Sequence, residues 1–325
     1  MNNAIGPFDS ANGGVFSRGH ALDCGETDRT LLAAVRDGSL VRLRRGMYVA
    51  AKTYQACDDV GRHLLLARAV LADQRGRVAL THISAAALHG FVLYGQDLSI
   101  VHLVRLDGGS SRSEAGVTHH RTRQDIEHDV GKYRGLLAVS PARTVWEVAC
   151  RSSLEAGVVT ADSALHQNPR LALAVEHLAT RFDRFPGSCH GRTVMRLATP
   201  KSDSPGESVT RVQFYRFGIP MPESQYRVYD QHGELIGIAD FGWNEHRHLG
   251  EFDGRSKYEK FLRPGESPSD SVVREKRRED RMRAGSRGMT RFTWASVMPR
   301  AVRRTMTELQ QSLEQSRRLY VRVAS

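Results

Sequence analysis

The chain predicts a mixed α/β (α+β) fold in three parts: an N-terminal winged helix-turn-helix over 1–55, a mixed α/β middle over 56–198, and a C-terminal α/β core over 199–325. Three observations carry this division. Residues 14–50 run helix, turn, helix, then a basic hairpin. A break rich in Pro, Ser and Gly follows at TPKSDSPGES, 199–208. Beyond it the order becomes helix, three-stranded meander, helix, strand. With 325 residues, 40% hydrophobic and 26% charged, the chain can bury a sizeable core over two or three domains.

In the first part, Ser17 is an N-cap for a helix opened by Phe16-Ser17-Arg18 and closed at Cys24-Gly25. A second helix starts near Thr27-Asp28, places Leu31, Leu32 and Val35 on one face and stops at Gly38. LVRLRRGMYVA, 40–50, alternates apolar and basic residues around Arg45-Gly46, as a hairpin with a basic outer face does. In a winged helix the second helix can enter a major groove while the hairpin rests on phosphates.

The middle reads as helices over 63–72, 84–88, 141–150 and 161–165, a strand over 98–106 and a loop at 108–111. It holds no phosphate loop, dinucleotide fingerprint or internal repeat. His82, His89, His102, His119 and His120 share no helical spacing with a carboxylate, so they read as packing or surface residues. In the last part, Ser204-Pro205-Gly206-Glu207 is a capping box with proline at the first helical position. It predicts a helix over 205–217 ended by Gly218. Strands follow over 225–229, 235–243 and 249–252, then a basic helix over 272–283, a strand over 291–294 and a helix over 302–319.

Lys and Arg exceed Asp and Glu by 47 − 36 = 11, which favours a polyanionic partner, DNA first and RNA as a variant. Residues 271–305 hold eleven Lys or Arg against three Asp or Glu. The arginines expected to follow a phosphate backbone are Arg42, Arg44 and Arg45 in the hairpin, and Arg274, Arg277, Arg278 and Arg281 in the basic helix. No apolar run approaches the ~18 residues of a membrane span, and the N-terminus lacks the charge and apolar pattern of a secretory signal. The expected location is therefore cytoplasmic, with the four scattered cysteines as reduced thiols.

The stretch IADFGWNEHRHLGEFDG, 238–254, carries the chemistry. If its strands fold back about Glu245 and His246, opposed positions sum to 491. Asp240 then faces Glu251, Asp253 shares the face of Glu251, and Phe252 points inward with Ala239 and Phe241. Like charges opposed at ~5 Å repel by roughly 3 kcal/mol at a surface-like dielectric, so the hairpin asks for a hard divalent cation, Mg²⁺ or Mn²⁺. Glu207 adds a further ligand or else serves only its capping box. Lys257 or Lys276 would stabilise the charge that develops at phosphorus.

GESVTRVQFYRFGIPMPESQYRVYD, GIADFGW, GEFDGRSKYEK, VVREKRRED and RFTWASV, in that order, resemble actinobacterial proteins whose C-terminal domain is similar to very-short-patch-repair endonucleases of the PD-(D/E)XK superfamily. The likeness covers roughly residues 186–297. GGVFSRGHALDCG, LVRLRRGMYVA, ALTHISAAALHGF and SPARTVWEVA are similar to AbiEi-type antitoxin winged-helix proteins. The first resemblance implies a three-layer α/β nuclease-like domain and a metal-dependent DNA endonuclease. Asp240 would be its central aspartate, Glu251 the acidic residue of its third motif and Glu207 that of its first helix. The lysine expected two positions after Glu251 is Asp253 here, a departure that Lys257 or Lys276 would have to make good. The second resemblance implies the alternative: a non-enzymatic antitoxin-like regulator with a degenerate nuclease fold and a toxin protein as partner.

Overall fold

A computed structural model describes residues 12–74, 77–121, 126–254, 281–282 and 287–321. The protein is α+β, and its contacts divide it into two compact units, 1–152 with 170–192 and 153–169 with 193–325. This division falls elsewhere than the expected boundaries at 55/56 and 198/199. No helix among the described residues is long and apolar enough to cross a membrane.

The first unit opens as expected. Ser17 accepts the His20 N–H to cap α1 (Arg18–Asp23), and Thr27 and Thr30 form a reciprocal box at the start of α2 (Asp28–Arg36). Strands β1 (Phe16–Ser17), β2 (Leu40–Arg44) and β3 (Met47–Ala50) form a sheet of order β1-β3-β2. Gly46 takes φ +75° in the β2–β3 turn, a conformation that glycine adopts without strain. Phe16, Ala21, Leu31, Leu40 and Tyr48 make the core beneath. The expected apolar face of α2 is corrected at Leu32, which is 54% exposed. The 3.6-residue period turns it away from Leu31 onto the outer face.

The rest of this unit contains α3 (Ala51–Gln55), α4 (Asp59–Ala72), β4 (Val78–Leu80), α5 (His82–His89), β5 (Val101–Arg105), β6 (Arg112–Glu114), β7 (Val117–Arg121), β8 (Val130–Tyr133), β9 (Leu136–Val139), α6 (Pro141–Arg151) and, further on, α8 (Leu171–Arg181). The six strands are ordered β6-β7-β5-β4-β9-β8. Helices α4, α5 and α6 and strand β5 were anticipated. The other strands were not, because runs of three to five residues carry too little periodicity to identify, and neither α3 nor α8 is among the expected helices. Arg143, 1% exposed, donates to Glu147 at 2.8 Å and to Asp129 at 2.9 Å, pinning α6 in place.

In the second unit the expected helix over 161–165 is the last part of the longer α7 (Leu154–Gln167). The helix α9 (Ser188–Leu197), whose residues fall on both sides of the 192/193 division, precedes the break, and α10 (Pro205–Arg216) follows it with Ser204 as N-cap. Strands β10 (Glu223–Tyr229), β11 (Leu235–Trp243), β12 (His248–Asp253) and β13 (Gly288–Thr293) lie in that order. The pairs Phe241 with Gly250, Gly242 with Leu249 and Trp243 with His248 keep the expected sum of 491. β13 runs parallel to β12, with Phe252 beside Phe292. Parallel neighbours need a long crossover, and the expected basic helix over 272–283 lies outside the described residues except at 281–282. Two further helices, α11 (Trp294–Val297) and α12 (Val302–Tyr320), complete the unit.

Phe214 of α10 meets Phe241, Trp243 and Phe292 edge to face, with centroids 5.2–5.5 Å apart. Gly206 lets α10 approach the sheet, since a Cβ there would stand 2.0 Å from the Phe252 ring. Beside this core Asp162 accepts from Arg211 at 2.7 Å, from Ser208 at 2.6 Å and from the Thr199 N–H at 2.7 Å. Removing one partner of a buried ion pair strands the other charge. Asp162→Ala should therefore destabilise the protein by about 3–5 kcal/mol, read from the urea unfolding midpoint.

Candidate nucleic-acid interface and carboxylate hairpin

Helices α1 and α2 follow one another across the short connection 24–27. Arg18 joins them with two hydrogen bonds to Asp28, at 2.7 and 2.6 Å. The outer face of α2 presents Arg29, Leu32 and Arg36, and the hairpin presents Arg42 and Arg45, all exposed. Arg44 differs from its expected role: it is half-buried, with Nη2 3.3 Å from Asp73. The bulge between Arg42 and Arg44 turns its side chain back against the body of the unit. Arg29 and Arg36 carry no sequence signal of their own, since exposed arginines are ordinary on the outer face of an amphipathic helix. Arg281 is exposed; Arg274, Arg277, Arg278, Lys257 and Lys276 lie outside the described residues.

At the carboxylate hairpin, Asp240 is 7% exposed and its Oδ2 accepts the Phe252 N–H at 2.7 Å. Gln225, at φ +54°, sits between the register pairs Ser224–Phe241 and Tyr226–Ala239. Strand alternation breaks there. Ala239 packs with Val228, Leu249 and Met282, so the expectation that it shares the side of Phe252 is corrected, and Phe252 packs edge-on against Trp294 at 5.3 Å. Glu251 and Asp253 are half-buried on β12, in register with Arg291 and Thr293. Glu207 is 1% exposed. Its oxygens accept from the Ser204 hydroxyl at 2.8 Å, the Asp203 N–H at 3.1 Å and Gln225 at 3.2 Å.

Among the described residues, no three of these carboxylates bring one oxygen each within 4.8 Å of one another. Mg²⁺ commonly takes only one or two carboxylates and keeps waters, and the all-oxygen chemistry of Asp240 and Glu251 suits that smaller demand. Three histidines do gather within that distance: His82, His102 and His120. Helical spacing does not predict this gathering, because strand pairing brings His102 and His120 together.

No known family profile matches the chain. It is 29% identical over 228 residues to two uncharacterized proteins of Mycobacterium tuberculosis, MT2308 of strain CDC 1551 / Oshkosh and Rv2248 of strain ATCC 25618 / H37Rv. Each match covers 70% of this chain and 78% of the relative. Among solved structures, the RV2827C protein from Mycobacterium tuberculosis aligns with a TM-score of 0.36 and 15% identity, covering 70% of this chain and 87% of that one.

Burial is the main cause of low basicity in several histidines of the first unit. It holds His120 down to about 3 and His102 to about 4, puts His82 well below the ordinary 6.5, and lowers His63 and His89. Because these folded-state values lie below the unfolded one, the unfolded chain binds more protons below about pH 6.5. Their contribution is complete above that pH and is lost as pH falls. Unfolding free energy should thus decline from about pH 6.5 downward, and His63→Gln should make the decline shallower in denaturant titrations across pH 4–8.

Proposed function

We propose that the chain is a DNA-binding protein that holds duplex DNA through its winged helix-turn-helix. The observation that carries this reading is the joint exposure of Arg29 and Arg36 on α2 and of Arg42 and Arg45 on the adjoining hairpin. A helix fits the ~12 Å major groove of B-DNA, whereas the narrow major groove of A-form RNA does not admit side chains, so duplex DNA is favoured over RNA. Leu32, exposed between the two arginines of α2, suits apolar contact with a thymine methyl. The cytoplasm is the fitting compartment, and the four cysteines are free thiols.

A second reading, a metal-dependent endonuclease-like activity in the C-terminal unit, is favoured by one topological observation. A helix, an antiparallel three-strand meander and a parallel fourth strand follow in the order expected for a PD-(D/E)XK-like domain, with Asp240 one residue before the stretch of β11 that pairs with β12 and bonded to the Phe252 N–H of β12. Asp240 and Glu251, with Asp253 or Glu207, would hold Mg²⁺, which when bound supplies an activated water and charge neutralisation at the phosphodiester. The Phe252 N–H orients the Asp240 carboxylate, and Lys257 or Lys276 would complete the charge balance.

The Arg42→Ala/Arg45→Ala double variant should bind duplex DNA more weakly at every sequence tested. Its log affinity against log salt should lose a slope of about 2, one for each phosphate contact removed. An unchanged slope in fluorescence anisotropy overturns the wing assignment. For the second reading, wild-type protein with Mg²⁺ or Mn²⁺ should nick plasmid DNA and Asp240→Ala should not. Sequence-specific binding without nicking would leave the antitoxin-like regulator, with a toxin protein as partner.

A further inference from the structure

Three histidines distant in sequence meet in the N-terminal unit. His102 and His120 stand on the neighbouring parallel strands β5 and β7, where His102 pairs with Thr118 and Val104 with His120. Residues two apart on a strand share a face, so both rings lie on the same side of the sheet. His82 is the first residue of α5, at the corner where β4 ends. His102 Nδ1 lies 2.9 Å from His120 Nε2, and the His82 and His120 rings stack with centroids 4.0 Å apart. One ring nitrogen from each histidine lies within 4.8 Å of the other two.

His82 carries the deciding detail. Its Nδ1 is 3.1 Å from the Thr81 hydroxyl and 3.6 Å from Glu147 Oε2. The Thr81 hydroxyl already donates its proton to Glu147, so its oxygen accepts from His82 Nδ1–H. That tautomer leaves a lone pair on Nε2, which is buried and has no hydrogen-bond partner. A buried polar atom left unmatched is costly, and a carboxylate behind an imidazole orients it as a metal ligand and raises its donor strength. Glu147 is itself held by Arg143 at 2.8 Å, so the support is rigid.

We propose that His82 Nε2, His102 Nδ1 and His120 Nε2 together bind a Zn²⁺ ion, at a site separate from the winged-helix surface and from the carboxylate hairpin. Three neutral imidazoles suit Zn²⁺ and do not suit Mg²⁺, which takes oxygen ligands. Zn–N bonds of ~2.0–2.1 Å place tetrahedral ligand nitrogens roughly 3.3–3.4 Å apart, so small ring movements complete the site. The proton now shared by His102 and His120 moves to the other nitrogen of its own ring, and binding needs no net proton loss. Three protein ligands leave the fourth tetrahedral position to water.

The test uses the full-length chain without an affinity tag, stripped with a chelator and titrated with Zn²⁺ against a chromophoric competitor. The wild type should bind one equivalent, and its zinc-edge X-ray absorption should show imidazole nitrogens at about 2.0–2.1 Å. His102→Ala and His120→Ala should each weaken binding at least about tenfold, since loss of even an outer supporting group costs 10–100-fold. His232→Ala, in the other unit, should bind as the wild type does. The absorption measurement needs no variant and so decides even if a substitution unfolds the chain. A wild type that takes up no stoichiometric zinc, a zinc spectrum without imidazole scattering, or undiminished affinity in folded His102→Ala and His120→Ala overturns the proposal.

Discussion

The buried carboxylate of Glu147 is the constraint around which the N-terminal unit is arranged. Leaving it unpaired in the interior would cost several kcal/mol, so Arg143 must lie one helical turn before it on α6, and the Thr81 hydroxyl must come to meet it. Arg143 in turn binds Asp129, which also receives Arg181 of α8. One connected set of charges thereby fixes α6, α8, the approach to β8 and the β4–α5 corner. At that corner His82 adopts φ +50°, a conformation that non-glycine residues rarely take and that the surrounding contacts must hold.

The second unit rests on a different balance. Its aromatic cluster joins α10 to β11 and β13, and the ion pair of Asp162 and Arg211 joins α7 to the same helix. The carboxylates stand at the margin of this packing. Asp240 and Glu207 are buried and bonded to main-chain groups, while Glu251 and Asp253 are half-buried on β12. Glu251 and Asp253 thus stay partly exposed on the sheet, while Asp240 stabilises an irregular strand and Glu207 the start of α10.

Much of the fold was legible in the sequence where local chemistry decides it. Ser17, Thr27, Ser140 and Ser204 each cap the helix that follows, because a side-chain oxygen at that position satisfies helical N–H groups no other partner reaches. The β11–β12 register was legible because one turn sets the pairing of every residue on either side. Short strands such as β4 and β9 were not legible, since their pairing is settled by residues tens of positions away. Nor was the half-burial of Arg44, which follows from a bulge and from Asp73 at the C-cap of α4. Of the candidate sites, the basic hairpin and the opposed acidic strands were visible as patterns, and the histidine trio was not.

By itself, then, the sequence determined the caps of the helices it marks, the basic hairpin and the turn that aligns β11 with β12, all of which follow from neighbours a few positions apart. Tertiary structure alone decided which side chains meet across long loops: Asp162 with Arg211, Thr81 with Glu147, and His82 with His102 and His120. The reason is physical. Burial forces each polar group to find a partner wherever the fold brings one, and parallel strand pairing brings residues together without leaving a periodic trace along the chain.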